Sequence, residues 1–312
     1  MTRSRGATSA GAADAGPESG AAEARDRGRG RLYVVATPIG NLADVTLRAL
    51  EILRTADLIA AEDTRHTRRL LDRYEITARL VSYHARNAAS REPELLARLE
   101  SGDAIALVTD AGTPGISDPG ADLVRAWGSR GGTVIPIPGA SAALAAVSAT
   151  GIAGPRWSFE GFLPRSGRER RERLDRLASD DRGAVLFESP GRLAATLRDL
   201  ASACGGARAV AVCRELTKMH EEIVRGPLQD VAAQAAAGAI DTRGEVVVVL
   251  GERRDAELPS AESGLAAADA LASALAEVER IVASGVARGD AARQVSASSG
   301  IPRRRLYATP ET

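Results

Sequence analysis

Two kinds of apolar pattern alternate along most of the chain. Runs that are apolar almost throughout occur at 32–38, 57–62, 79–84, 104–110 and 133–139. The stretches between them repeat their apolar residues at helical spacing, and in the first of these Leu47, Leu50 and Leu53 share one face. Asp44 precedes that helix and is its expected N-cap. Strands without polar positions are typical of a parallel sheet covered on both faces, so 31–150 is predicted to form a mostly parallel α/β domain.

A second group of strand-like segments occupies 157–164, 183–190, 207–216, 221–228 and 244–252. The last of them follow one another more closely than the first, which predicts a mixed sheet in a second α/β domain, 151–252. The remainder, 253–312, is predicted to be a linker and a helical C-terminal segment, with a helix–turn–helix pattern at 290–307. Residues 1–30 are of low complexity and are predicted to form a disordered tail.

Charge and cysteine content narrow the class of protein. The 41 Lys and Arg residues balance the 41 Asp and Glu residues, which argues against a globally basic nucleic-acid-binding protein but permits local basic patches. No run approaches 18 strongly apolar residues, and the first 30 residues lack the apolar core of a signal peptide. Cys204 and Cys213 form no CxxC pair. A cytoplasmic protein with no membrane partner is therefore expected.

Four loops that follow predicted strands of the first domain carry polar residues, and three of them are also rich in glycine and proline. They read TPIGN (37–41), EDTRHTRR (62–69), TDAGTPGISDPG (109–120) and IPGASAA (137–143). Ligands of open α/β sheets bind beyond the carboxyl ends of the strands, where these loops converge. Glycine lets the backbone approach a ligand closely, and proline fixes the loop in advance. The sequence therefore predicts a preformed ligand-binding wall at this edge.

The common nucleotide and metal motifs are missing from these loops. No GxGxxG follows the first strand, and the single lysine of the chain, Lys218, follows Thr217 and so cannot complete a P-loop. His66, His84 and His220 lie in separate segments without metal-ligand spacing, so no metal site is predicted.

Six stretches in order resemble the ribosomal RNA small subunit methyltransferase I family, within the tetrapyrrole-methylase-like superfamily. They begin with LYVVATPIGNLADVTLRALEILRTADLIAAEDTRHTRRLL and continue with VTDAGTPGISDPG, IPGASA, GFLPRSGRERRERL, LFESPGRL and CRELTKMHEEIVRG. The resemblance covers about 31–252 and extends more loosely to IPRRRLY. It implies a two-domain methyltransferase that binds S-adenosylmethionine between its domains and forms a homodimer. The implied reaction is 2′-O-methylation of a cytidine in the decoding region of 16S ribosomal RNA, on the free RNA or the small ribosomal subunit.

The resemblance and the loop chemistry together give the expected cofactor-binding residues. They are Pro38, Gly40, Asp110, Ala111, Gly112, Pro114, Gly115, Pro138, Gly139 and Ser141.

Transfer of a methyl group to a ribose hydroxyl requires alignment and a group that accepts the hydroxyl proton. The candidates for this catalytic role are Lys218, Glu62, Glu188 and Glu215. Lys218 is the only amine among 41 basic residues, and desolvation would lower its pKa enough for it to act as a base. The alternative is that Lys218 contacts a phosphate or is merely solvated.

An arginine-rich run at 164–176 carries six arginines against three acidic residues. A solvated helix with paired charges is one interpretation. The other is contact with RNA phosphates, for which the candidates are Arg65, Arg68, Arg165, Arg168, Arg170 and Arg171. Four aromatic residues near the motif loops could stack on bases, but a place in the core is favoured for each of Phe159, Phe162, Phe187 and Tyr83.

Two other functions compete with methylation of ribosomal RNA. The first is methylation of a small molecule of the tetrapyrrole type, which would leave the arginine-rich run unused. The second is a non-enzymatic RNA-binding assembly factor, which would leave the glycine- and proline-rich loops unused.

Overall fold

The computed structural model describes residues 28–253, 261–299, 301 and 303–307. Most of the predicted tail, 1–27, and most of the predicted linker, 254–260, lie outside the described residues. The chain forms two compact units, and the boundary between them follows Glu252. The unit that ends there contains two five-stranded sheets.

The first sheet consists of β1 (Arg31–Val35), β2 (Leu58–Ala61), β3 (Leu80–Ser82), β4 (Ala104–Val108) and β5 (Thr133–Ile137). All neighbouring strands run parallel, in the order β3-β2-β4-β1-β5. The helices of this half are α1 (Leu47–Thr55), α2 (Thr64–Arg73), α3 (Ala88–Glu100), α4 (Ala121–Ser129) and α5 (Ala142–Thr150). The predicted parallel α/β arrangement is confirmed.

Burial explains the apolar runs of this half. Every residue of β2 is buried, because one core lies on each side of the sheet. Leu53 belongs to one core and Trp127 to the other. The predicted cap of α1 was wrong: Asp44 ends a short 3₁₀ turn, and the Thr46 hydroxyl accepts the hydrogen bond from Ala49 N that caps the helix.

The second sheet consists of β6 (Trp157–Phe162), β7 (Gly183–Glu188), β8 (Ala209–Arg214), β9 (Glu222–Pro227) and β10 (Val246–Leu250). Its order is β6-β7-β10-β8-β9, with β6 and β7 parallel and the other pairs antiparallel. The predicted mixed sheet is confirmed. The helices are α6 (Gly167–Ser179), α7 (Leu193–Cys204) and α8 (Leu228–Ala236). Helix α8 separates β9 from β10, a connection that the sequence interpretation had taken as short.

The two sheets share a core on one face of the second sheet. Val185 and Val249 of that sheet pack in one cluster with Ala146 of α5 and Ile39, which follows β1. The carboxyl ends of the first sheet's strands are thereby held against the second sheet, which positions the loops described below.

The C-terminal unit contains α9 (Ala261–Ala283), α10 (Arg288–Ser299) and α11 (Arg303–Leu306). Its core includes Val278, Val295 and Leu306. The predicted helical C-terminal segment is confirmed for these residues. Among the described residues, no helix combines the length and the apolar character that a membrane crossing requires.

Candidate active site

The loops after β1 and β4 are joined by a two-way backbone bridge. Thr37 N donates to Gly112 O and Gly112 N donates to Thr37 O, each at 2.9 Å. The Thr37 hydroxyl also donates to Thr109 O at 3.0 Å. Gly112 adopts a φ of +78°, which favours glycine at this position. The stretch TDAGTPGISDPG is thus fixed to the first strand by hydrogen bonds.

A cavity of about 370 Å³ lies beside this bridge and is lined by both sheets. The first half contributes the loop around Gly112 and the start of α5 at Ser141. The second half contributes aromatic and strand-end residues that include Phe162, Phe187 and Val247. Ala111, Gly112 and Ser141 are the predicted cofactor residues that line this first cavity.

A second cavity of about 320 Å³ adjoins the first. It is lined by four predicted residues, two after β1 and two after β4, namely Pro38, Gly40, Asp110 and Ala111. Its other walls include His66 and Arg69 of α2 and Lys218 of the second half. Ile39, Ala111 and Glu245 line both cavities.

The remaining predicted cofactor residues do not line either cavity. Pro114 is buried beneath the loop, and Gly139 packs so closely on the end of β1 that a Cβ built on it would lie 3.0 Å from Ala36 Cβ. Gly115 is half-buried and Pro138 is exposed. These four residues shape the loops around the cavities.

Lys218 is held as a cation by two carboxylates. Its Nζ donates to Glu215 Oε1 at 2.8 Å and to Glu245 Oε2 at 3.1 Å. Burial favours a lower pKa for Lys218, but the hydrogen bonds to both carboxylates outweigh burial and hold the pKa above its usual value. The expectation that desolvation would make Lys218 a base is therefore not met in this structure.

Two of the candidate bases hold the local structure together. The Glu188 side chain is 1% exposed, and its carboxylate accepts hydrogen bonds from Ser189 N and the Thr196 hydroxyl, both at 2.7 Å. Glu215 accepts from Lys218 and from Glu245 N, and the hydrogen bond from Lys218 lowers the pKa of Glu215. The lowered pKa makes the Glu215 carboxylate a weaker base, and Glu188 is held in place where it lines the first cavity.

Three other carboxyl groups lie together at the carboxyl edge of the first sheet. Burial raises the pKa of Glu62, whose Oε2 accepts from Asp110 N at 3.4 Å. Burial, with the nearby charges of Glu62, Asp110 and Glu245, raises the pKa of Asp118 to about 7. Asp118 also lines the first cavity. Sequence reasoning missed Asp118, although it lies within the glycine- and proline-rich loop.

The arginines predicted to contact RNA fall into two groups. Five are exposed on the surface: Arg65, Arg68, Arg165, Arg168 and Arg171. Arg170 is buried, because its guanidinium donates to Asp199 at 2.8 Å, to the Thr196 hydroxyl at 3.1 Å and to Pro164 O at 2.9 Å. These contacts give Arg170 a structural role, and its contact with RNA stays a prediction.

The aromatic residues also divide. Tyr83 is fully buried, as predicted. Phe162 is 50% exposed and lines the first cavity with Phe187, their ring centroids 5.7 Å apart in an edge-to-face arrangement. The core expectation therefore fails for Phe162 and for Phe159, which is 36% exposed, because both lie on β6, the edge strand of the second sheet; Phe187 is half-buried.

Known proteins are similar to this chain in sequence and in fold. The sequence profile of the tetrapyrrole (corrin/porphyrin) methylases matches residues 31–232. A ribosomal RNA small subunit methyltransferase I of Synechocystis sp. is 47% identical over 279 residues, covering 89% of this chain and 96% of the relative. The protein of that name from Bacillus subtilis is 40% identical over 278 residues, covering 89% and 93%.

Solved structures show the same fold at low identity. A cobalt-precorrin-4 methyltransferase of cobalamin biosynthesis has a TM-score of 0.56 at 19% identity and covers 71% of this chain and 94% of its own. A uroporphyrin-III C-methyltransferase from Thermus thermophilus, complexed with S-adenosyl homocysteine, has a TM-score of 0.52 at 19% identity and covers 72% and 98%. The chain belongs to the ribosomal RNA small subunit methyltransferase I family, within the tetrapyrrole methylases.

Proposed function

We propose that this chain is a cytoplasmic methyltransferase that uses S-adenosylmethionine to methylate the 2′-hydroxyl of a cytidine in the decoding region of 16S ribosomal RNA. Family membership supports the reaction class and the RNA substrate. The structural observation that carries the proposal is the pair of adjoining cavities that share Ile39, Ala111 and Glu245. Two cavities in contact provide one place for a methyl donor and one for an acceptor.

The first cavity suits the methyl donor. Its volume of about 370 Å³ is within the range of small-molecule sites. Gly112 presents bare backbone, Ser141 a hydroxyl, and Phe162 with Phe187 an apolar aromatic wall. These residues would hold S-adenosylmethionine, which supplies an electrophilic methyl group when it is bound.

The second cavity suits a nucleotide. His66, Arg69 and Lys218 line it, and Lys218 remains a cation because Glu215 and Glu245 stabilise its proton. Arg69 and Lys218 lie beside the acidic Asp110 and Glu245 in the wall of this cavity, a mixed set of polar groups that suits the phosphate, ribose hydroxyls and base of a nucleotide. Lys218 therefore binds and orients the substrate in this proposal.

Asp118 is our candidate acceptor of the hydroxyl proton. It lines the first cavity, and its pKa of about 7 makes its carboxylate a stronger base than an ordinary aspartate. Glu62 lies behind it as a second carboxyl group of raised pKa. When the ribose oxygen bonds to the methyl carbon, the bond from that carbon to the sulfonium sulfur would break and S-adenosylhomocysteine would leave; the hydroxyl proton would pass to the Asp118 carboxylate, which would release it to water.

The proposal is tested by transfer of label from S-adenosylmethionine with an isotopically labelled methyl group. The acceptors are small ribosomal subunits from cells that lack this chain, free 16S RNA, and a tetrapyrrole. We expect label in one 2′-O-methylcytidine of the 16S RNA. Label in the tetrapyrrole alone would instead support the small-molecule methyltransferase, and RNA binding without any transfer would support the assembly factor.

A further inference from the structure

A third cavity, of about 580 Å³, lies between the start of α6 and the first turns of α7. Four arginines line it: Arg165, Arg170, Arg192 and Arg198. Asp199 is the sole acidic residue among those of the described chain that line it. Among the described residues, this arginine cavity shares Ser189 alone with the first cavity and no lining residue with the second.

Two of the arginines form a fixed floor. Arg170 is buried against Asp199 and the Thr196 hydroxyl. Arg192 donates to Leu163 O at 2.7 Å and pairs with Glu188 at 3.3 Å. These contacts hold both guanidinium groups in place before any ligand arrives, which reduces the entropy that a ligand must overcome.

The other two arginines are exposed and carry uncompensated charge. In the part of the chain that the structure describes, neither Arg165 nor Arg198 forms an ion pair. Four guanidinium groups therefore face the two carboxylates of Asp199 and Glu188, which leaves a surplus of two positive charges. Guanidinium groups bind phosphate through paired N–H donors, so a concave site of this charge suits a phosphate.

The arginine cavity is continuous with the proposed active site. Ser189 is exposed and lines both the arginine cavity and the first cavity. Ser189 thus joins the arginine cavity to the first cavity, which in turn shares Ile39, Ala111 and Glu245 with the second cavity, where the nucleotide is placed. We infer that the arginine cavity binds the backbone phosphates of the RNA strand next to the target nucleotide, an inference that rests on the proposed function.

Neighbouring arginines do not belong to this site. Arg168 is 86% exposed and pairs with Glu172 one turn along α6, as expected of a solvated helix face. Arg171 is exposed on the same helix and does not line the cavity. The arginine cavity therefore includes Arg165 and Arg170 of the predicted run but not Arg168 or Arg171. It also includes Arg192 and Arg198, which the sequence pattern did not single out.

The test compares two double variants with the same change in charge. Arg165→Gln with Arg198→Gln removes the uncompensated pair. Arg156→Gln with Arg182→Gln is the control, because both of those residues precede strands at the opposite end of the second sheet and pair with exposed or half-buried aspartates. Equilibrium binding to small ribosomal subunits is measured at several salt concentrations, with inorganic phosphate as a competitor.

We expect the slope of log affinity against log salt to become shallower by about 1.4 for two lost contacts to a single strand. The KM for RNA should rise on the order of tenfold, with kcat and S-adenosylmethionine affinity unchanged. The control should match the unmodified chain. An unchanged slope in the Arg165/Arg198 variant overturns the inference. The inference is also overturned if the arginine cavity binds inorganic phosphate at millimolar concentration while the salt slope of RNA binding is unchanged in the Arg165/Arg198 variant, because the cavity is then a small-anion site.

The same measurements distinguish failure of the phosphate site from failure of the proposed methylation. If the unmodified chain transfers no methyl group to RNA but binds it with the arginine-dependent slope, the phosphate site stands and the methylation proposal falls. If the unmodified chain shows no salt-dependent RNA binding, both are overturned.

Discussion

Gly40 lies directly against Lys218: a Cβ built on Gly40 would be 2.4 Å from Lys218 Cγ and 3.0 Å from Leu216 O. Gly40 follows β1 and Lys218 follows β8, so this contact joins loops from both sheets. Both residues line the second cavity. A glycine is required here because any side chain would occupy the space of the Lys218 stem, and the Lys218 amine would leave Glu215 and Glu245.

Gly40→Ala should therefore reduce kcat/KM for RNA methylation by about tenfold or more, since Lys218 must move. The matched control is Gly128→Ala in α4, where an added Cβ meets nothing within 4 Å. That change should leave activity unaltered and raise stability by about 0.5–1 kcal/mol, because alanine is the better helix former. Equal activities of the two variants would contradict the proposed role of the contact.

Lys218→Arg should keep most of the activity, because Lys218 acts as a cation and its pKa is already raised. Lys218→Gln should raise the KM for RNA by about tenfold through loss of the charge. Steady-state kinetics between pH 6 and pH 9 measure both effects. An inactive Lys218→Arg enzyme with normal RNA affinity would restore Lys218 to the list of candidate bases.

Asp118 should govern the pH dependence of the reaction. Its carboxylate must be unprotonated to accept the hydroxyl proton, so kcat should rise with pH through about 7 and then level off. Asp118→Asn should lower kcat about a hundredfold and remove this limb of the profile. If the kcat of Asp118→Asn still rises with pH through about 7, another group accepts the proton, and Glu62 is the next candidate.

The same group should affect stability. Because the folded-state pKa of Asp118 is raised from 3.8 to about 7, the folded chain binds this proton more tightly than the unfolded chain. The stabilisation is complete below the unfolded pKa and is lost as pH rises through about 7. Asp118→Asn should therefore reduce the fall in Tm between pH 5 and pH 8, whereas an unchanged fall would show that the carboxyl group is not desolvated.

Gly112→Val should weaken binding of S-adenosylmethionine by at least about tenfold. The space around Gly112 admits a Cβ, with Ile39 Cγ2 at 3.7 Å, so the cost comes from a positive φ and from strain on the bridge to Thr37. The control is Gly205→Val at the end of α7. Gly205 has a φ of +91°, and an added Cβ would meet nothing within 4 Å, so this variant carries the same kind of backbone strain away from the two cavities. Calorimetric titration of both variants separates the two effects, and equal affinities would remove Gly112 from the cofactor site.

The sequence predicted the fold well because most of the strands are largely apolar, as in β2, β4 and β10. Periodicity located both sheets, and the closely spaced later strands predicted a mixed second sheet. The prediction of the first helix cap failed because two suitable residues lie close together: Asp44 and Thr46 are both good N-caps, and they are two residues apart. Helix α8 was missed although Leu228, Val231 and Ala235 are buried at helical spacing, because the two strand-like segments on either side were taken as close neighbours.

The site was harder to predict because charge and burial depend on partners distant in sequence. Lys218 is a cation because of Glu215, three residues away, and Glu245, 27 residues away. Arg170 is buried because of Asp199, 29 residues away. Asp118 has a raised pKa because it is buried and because Glu62, Asp110 and Glu245 lie near it from other parts of the chain. No spacing along the chain reports these contacts.

Methylation of one cytidine of 16S ribosomal RNA by this chain is tested by a map of 2′-O-methylation in that RNA from cells that lack the chain. Cells carrying the unmodified gene and cells carrying Asp118→Asn are mapped in parallel. We predict that one cytidine in the decoding region loses its 2′-O-methyl group in the deletion, regains it with the unmodified gene and stays largely unmodified with Asp118→Asn. A methylation map identical in all three would contradict the account.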